Sequence, residues 1–355
     1  MPTVRRGARA ALALVAALHL PGCVAHPMPP APGRLVATRP AAKAPAGPKR
    51  GYTLPVEFPP ESPPAAKIGS FSTRIPRPGD LPAMAGRLQR HRVRAGEDLL
   101  TISRDMGIGF RALRDANPLI DEWEPRPGTE LLVPTRWILP RAEFRGLVIN
   151  VAELRAFLFP ADPSPGAQVS VLTWPIGAGD AEWQTPIERF TVTDKDTNPT
   201  WVVPASIYRK MENPRSFVPP GPDNPLGKHR IRLSIESYLL HGTNDPWSVG
   251  RLTTHGCVRF YPEDVELLYD LVYPGLPGEF VYQPVKVTEE DGRVWLEVHR
   301  DIYRMVPDLH ALAASEVARA GFAARVDRGR VRQVVEEEMG LPVDVTLDTR
   351  RATAE

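Results

Sequence analysis

Between His241 and Arg259 the sequence gathers residue types that together could carry out covalent acyl transfer. His241-Gly242-Thr243 comes first, then Gly250, then Thr254-His255-Gly256-Cys257-Val258-Arg259. A thiol is a strong nucleophile only as its thiolate, and an imidazole within hydrogen-bond reach can take its proton near neutral pH. Cys257 is therefore the candidate nucleophile, and His241, upstream at an expected strand end, is the candidate base. His255 lies two residues from Cys257, so an extended segment would put both side chains on one face, where His255 would hold substrate or tune the thiolate. Backbone N–H groups around Gly256 and Cys257 are the candidate oxyanion donors, glycine allowing close approach. Arg259 is suited to hold a carboxylate or to brace the loop.

Plainer readings exist for each residue. A buried cysteine is often a small apolar filler, and a histidine a satisfied core residue. A zinc site made of His241, His255 and Cys257 would have a spacing found in no common zinc pattern. In papain-like cell-wall endopeptidases the cysteine precedes the histidine, and here it follows. Several fixed residue types at fixed spacing decide the matter. They resemble the signature of the L,D-transpeptidase (YkuD) catalytic-domain family: His-Gly-Thr, a variable segment with a glycine, then Ser/Thr-x-Gly-Cys-hydrophobic-Arg. Thr254 stands where many members have serine, and it keeps the hydroxyl. The resemblance implies a mixed β-sandwich and a thioester mechanism with no metal and no cofactor. The thiolate attacks the third residue of a peptidoglycan tetrapeptide stem, the terminal D-alanine leaves, and an amine accepts the acyl group. An acceptor on another stem gives a 3-3 cross-link, a lipoprotein lysine attaches that protein to the wall, and water would make a carboxypeptidase. The family also implies the Gly242 carbonyl as the acceptor that orients His241.

Length and charge set the frame around this stretch. A chain of 355 residues suggests two or three domains, and Lys+Arg 44 against Asp+Glu 42 is too balanced to suggest a nucleic-acid partner. Residues 1–23 read as an export signal: Arg5, Arg6 and Arg9 precede an apolar run, Ala10 to Leu20, that is too short to span a bilayer as a helix. The run ends in Leu20-Pro21-Gly22-Cys23, which resembles a bacterial lipobox. That resemblance implies acylation at Cys23 and, with Val24 following, an outer-membrane anchor facing the periplasm of a Gram-negative cell. Acylation of Cys23 would leave Cys257 without a partner in its own chain, and a lone thiol in an oxidising compartment calls for a reason such as catalysis.

Residues 24–88 are rich in proline and alanine and read as an extended tether. Residues 91–135 resemble a LysM module of β-α-α-β order, which implies binding of peptidoglycan glycan chains. The resemblance rests on Val93, Gly96-Glu97-Asp98-Leu99, Ile102, Leu113, Asn117-Pro118, Gly128 and Leu131-Leu132-Val133-Pro134. Leu99, Ile102 and Met106 share one helical face, and Asn117-Pro118 stops a second helix begun at Phe110.

The catalytic domain is expected over residues 145–287, mostly β. Strands are read at Leu147 to Val151, Leu154 to Phe159, Val169 to Ile176, Arg189 to Thr193, Trp201 to Val203 and Tyr238 to Leu240. One helix starts at Pro262, with Glu263 and Asp264 at its positive end and Val265, Leu268 and Val272 as its buried stripe. Gly177-Ala178-Gly179 is read as a structural turn because no phosphate-loop lysine follows. Tyr208 to Pro225 is read as a loop beside the site. Residues 288–355 form an α/β extension, a hairpin around Glu290-Asp291-Gly292 followed by helices at Leu309 to Ala324 and Val331 to Met339. Two functions of different class follow: a secreted transpeptidase using Cys257, or a non-catalytic lipoprotein that links membrane to wall.

Overall fold

The computed structural model describes residues 69–348 apart from 210 and 212. The export signal, Cys23 and the tether up to residue 68 lie outside the described residues.

Strands β1 (Ser70–Arg74), β2 (Met84–Gly86) and β3 (Gln89–Arg92) lead into helices α1 (Leu99–Met106) and α2 (Phe110–Ala116), followed by β4 (Glu130–Val133) and β5 (Arg136–Ile138). Next come β6 (Leu147–Asn150), β7 (Arg155–Leu158), β8 (Gln168–Pro175), β9 (Ala178–Gly179), β10 (Arg189–Thr197), β11 (Trp201–Val202) and the short helix α3 (Ala205–Tyr208). Strands β12 (Phe217–Val218), β13 (His229–Leu233), β14 (Leu239–His241), β15 (Leu252–Thr254) and β16 (Val258–Arg259) precede α4 (Pro262–Leu271). The chain closes with β17 (Pro277–Val281), β18 (Val285–Glu290), β19 (Arg293–Val298), α5 (Leu309–Arg319), α6 (Arg328–Glu337) and β20 (Pro342–Asp344).

A nine-stranded sheet of order β1-β8-β7-β6-β17-β10-β13-β14-β16 organises the molecule. Its central strands are apolar throughout because both faces are covered. In β6 and β7, Leu147, Ile149 and Ala156 enter the larger core, while Val148 and Phe157 enter a second one. The larger core also takes Val265, Leu268 and Val272 from α4 and its end, the stripe expected from sequence.

Two central strands escaped the sequence reading. In β13, buried His229, Ile231 and Leu233 alternate with Arg230 and Arg232, so the inward face is hidden among basic residues. Strand β17 opens on Pro277-Gly278, residues that ordinarily argue against a central strand. A Cβ at Gly278 would fall 2.4 Å from the Phe190 ring, so glycine is what lets Phe190 and Phe280 pack at 4.8 Å between centroids. The expected tether also ends earlier than residue 88. Strand β1 pairs with β8, Ser70↔Leu172 to Arg74↔Gln168, and Ile75 is buried in the second core.

Residues 89–133 follow the β-α-α-β order, with β3 and β4 antiparallel. Asp98 caps α1 by accepting the Thr101 N–H at 2.7 Å, and Gly107 ends it with φ of 67°. Asn117 ties α2 to β4, donating to the carbonyls of Leu113 at 2.7 Å and Leu132 at 2.8 Å. This module is docked on the catalytic domain. Arg155 donates to the Gly107 carbonyl at 3.1 Å, the Arg111 N–H donates to the Gly250 carbonyl at 3.3 Å, and Arg104 pairs with Glu263 at 3.0 Å.

The extension is a three-stranded sheet, β18-β19-β20, covered by α5 and α6. Its hairpin turns at Asp291 and Gly292, both with positive φ. A buried ionic cluster pins it to the catalytic domain: the Lys286 ammonium lies 2.8 Å from Glu153 and 2.8 Å from Glu297. Burial alone would push the Lys286 pKa down, but Glu153 and then Glu297 hold it above its ordinary value. Removing one partner of a buried pair leaves uncompensated charge. Lys286→Ala is therefore expected to lower unfolding free energy by roughly 3–5 kcal/mol, measured by chemical denaturation; a loss below about 1 kcal/mol would contradict the cluster's structural role.

Candidate active site

Strands β14 and β16 run parallel at the sheet edge, with Leu240 opposite Val258 and His241 opposite Arg259. Leu240 and Val258 enter the core, so the pleat turns Leu239, His241, Cys257 and Arg259 toward the other side. That register brings candidate base and candidate nucleophile onto neighbouring strands. The Leu239 N–H points at the Cys257 Sγ at 3.3 Å, a donor that favours the thiolate. Cys257 is disulfide-bonded in this structure, so the chemistry considered below is that of the reduced thiol.

His241 is buried, and its Nδ1 lies 2.6 Å from the Gly242 carbonyl. A carbonyl only accepts, so Nδ1 carries the proton and Nε2 keeps its lone pair. Burial first, then the charge of Arg259, hold the His241 pKa down to about 3 against the opposing pull of the Gly242 bond. The ring is consequently neutral at physiological pH and able to accept a proton.

Thr254 shapes the turn before the cysteine. Its hydroxyl donates to the Cys257 carbonyl at 2.6 Å and accepts the Gly256 N–H at 3.1 Å. The Gly256 N–H is thus engaged within the turn, which corrects the expectation that it serves an oxyanion. Gly256 itself has φ of 101°, and a Cβ there would meet the Tyr238 ring at 2.5 Å. This bend also breaks the alternation that would have placed His255 beside Cys257. His255 instead packs on Trp183, centroids 5.1 Å apart, at a half-exposed position.

Arg259 is almost wholly buried, and its Nε and Nη1 have no hydrogen-bond partner among the described residues. Burial lowers its pKa to about 10, with Asp245 opposing, so the guanidinium remains charged at neutral pH. A buried cation with unmet donors is a ready seat for a carboxylate.

The segment read as a loop beside the site is more ordered than expected. Strands β11 and β12 pair, Trp201↔Val218, and form a small core with Val203, Ile207 and Leu226 against which Leu239 packs. Asn224, to which no role was given from sequence, holds this flap by donating to the carbonyls of Pro199 at 2.8 Å and Pro219 at 3.1 Å. Its only forewarning was a polar residue between prolines. Gly177-Ala178-Gly179 is structural, since β9 pairs with β15.

Among the described residues, one group of ligating atoms lies close enough to hold a metal ion, Glu153, Glu297 and His299. Lys286 already supplies the positive charge there. No helix among the described residues is long and apolar enough to cross a membrane.

Comparison with known proteins gives a consistent picture. The sequence profile of the YkuD L,D-transpeptidase catalytic domain matches residues 145–287. The chain is 37% identical over 264 residues to a probable L,D-transpeptidase of Escherichia coli K12, YcfS, covering 70% of this chain and 81% of that one. It is 33% identical to the E. coli K12 probable L,D-transpeptidase ErfK/SrfK, covering 72% of this chain and 84% of the relative. A third E. coli K12 relative, the probable L,D-transpeptidase YbiS, is 34% identical, with 67% and 79% covered.

Proposed function

The chain belongs to the YkuD L,D-transpeptidase family and is an acyltransferase of that kind, and from this premise we propose that Cys257 and His241 carry the reaction through a thioester on peptidoglycan tetrapeptide stems. The observation that carries the proposal is the register of β14 and β16, which sets base and nucleophile on adjacent strands with His241 held as the Nδ1–H tautomer. His241 takes the proton of Cys257, and the thiolate attacks the carbonyl of the third stem residue. The tetrahedral oxyanion is met by the Cys257 N–H, the remaining member of the expected donor pair. The C–N bond to D-alanine then breaks, and the proton on His241 passes to the leaving amine. An incoming amine reverses these steps, yielding a 3-3 cross-link or a wall-attached lipoprotein and restoring the thiol.

In this reading Arg259 binds a carboxylate of the stem. Arg259→Met is expected to lower kcat/KM by about 10- to 100-fold, the size of a charged hydrogen bond. The loss should fall mainly on KM, and an unchanged KM would remove Arg259 from substrate binding.

We further propose that Cys23 is acylated and anchors the protein in the periplasm, on the outer membrane of a Gram-negative cell, because Leu20-Pro21-Gly22-Cys23 follows an apolar run of export-signal length. The β-α-α-β module is proposed to be a LysM domain that holds glycan chains. Incubating the reduced protein with purified tetrapeptide stems and identifying the products by mass tests the central reading. Tripeptide-linked dimers with release of D-alanine are expected; glycan binding without any product would favour a non-catalytic lipoprotein joining membrane to wall.

A further inference from the structure

The extension beyond residue 287 reaches the peptide bond that precedes the nucleophile. The Tyr303 hydroxyl accepts the Thr185 N–H at 3.1 Å and donates to the Gly179 carbonyl at 2.9 Å. The Thr185 hydroxyl in turn accepts the Gly179 N–H at 3.1 Å and donates to the Gly256 carbonyl at 2.9 Å. Tyr303 and Thr185 are both buried. Gly179 leaves no slack in this box, since a Cβ there would fall 2.9 Å from the Gly256 Cα.

A trans peptide is planar, with its carbonyl and its N–H pointing in opposite directions. Fixing the Gly256 carbonyl on Thr185 therefore fixes the direction of the Cys257 N–H. Tyr303 is itself held firmly: its ring stacks on Tyr282 at 5.6 Å, and its N–H donates to the Tyr282 hydroxyl at 2.9 Å. The Tyr282 hydroxyl ends on Asp301, which also accepts the Val306 N–H at 2.7 Å.

We infer that Tyr303, acting through Thr185, is a positioning residue that aims the Cys257 N–H at the oxyanion. This rests on the reading that Cys257 forms the thioester. It makes the extension part of the catalytic apparatus rather than packing alone.

The test uses the full chain in reductant with two probes of one sulfur. A carbapenem acylates through a tetrahedral oxyanion, whereas iodoacetamide alkylates by direct displacement and needs no oxyanion donor. Tyr303→Phe keeps the ring stack and deletes the hydroxyl. Its acylation rate is expected to fall about tenfold or more, with KM for the tetrapeptide donor and the alkylation rate each within about twofold of wild type. Thr185→Val should reproduce that pattern, and Thr185→Ser should restore the rate, which guards against a Tyr303 variant that fails to fold. Unchanged acylation, or equal losses in acylation and alkylation, would overturn the inference while leaving Cys257 in place. A wild-type protein that takes up no carbapenem would overturn the thioester reading and the positioning role together.

Discussion

Cys257→Ala is expected to abolish both acyl transfer and covalent capture of a carbapenem. No other residue can replace the sulfur: the chain has two cysteines, and the other, Cys23, is proposed to be acylated. Intact mass spectrometry after incubation with the drug should show one adduct on reduced wild-type protein and none on the variant. Because Cys257 is disulfide-bonded in this structure, the adduct should also depend on reductant. Peptide mapping should place it on the segment from Leu252 to Arg259. An adduct that survives Cys257→Ala, or that forms elsewhere in the wild type, would refute the assignment. The fold should tolerate the change, since the larger cores are built from other residues.

His241→Gln is expected to reduce kcat by a factor of about 100 to 10,000, the range for loss of a general base. Glutamine can still donate to the Gly242 carbonyl but cannot accept a proton. Raising the pH should partly rescue the variant, because hydroxide then generates the thiolate, and its rate should climb toward the ordinary thiol pKa of about 8.5. A kcat within about threefold of wild type, on the scale of that expected effect, would remove His241 from the mechanism. A second readout follows from linkage. The His241 pKa in the fold, about 3, lies below the unfolded value. Between the two, the unfolded chain binds a proton that the folded chain does not, so stability falls as pH drops below about 6.5 and stops falling near the folded value. His241→Gln should flatten that acid-side slope by up to about 1.4 kcal/mol per pH unit.

What the sequence disclosed and what it withheld divide along physical lines. The stretch from His241 to Arg259 was readable because catalysis confines residue types at short separations. Strands such as β6 and β8 were readable because apolar runs report burial directly. Strand β17 was hidden because its glycine answers to Phe190, a residue distant in sequence, and β13 because arginines occupy its outward positions. Strand β1 was hidden by the proline-rich composition around it, although Thr73 and Ile75 are buried. The role of the Gly256 N–H depended on where the Thr254 hydroxyl turns, and that of Thr185 on a tyrosine 118 positions away. No local pattern encodes either.

The docking of the β-α-α-β module has a consequence for how the molecule would work along a polymer. Gly109 and Gly250 approach so closely that a Cβ on Gly250 would lie 2.4 Å from the Phe110 nitrogen, and the Arg251 guanidinium covers the Phe110 ring at 4.2 Å. The two parts therefore behave as one tool with a built-in gauge rather than a grip and a blade joined by string. Any strand seized by the module would offer its side branches to the cleft at a set offset, and the interval between successive modifications would be dictated by the protein's own dimensions.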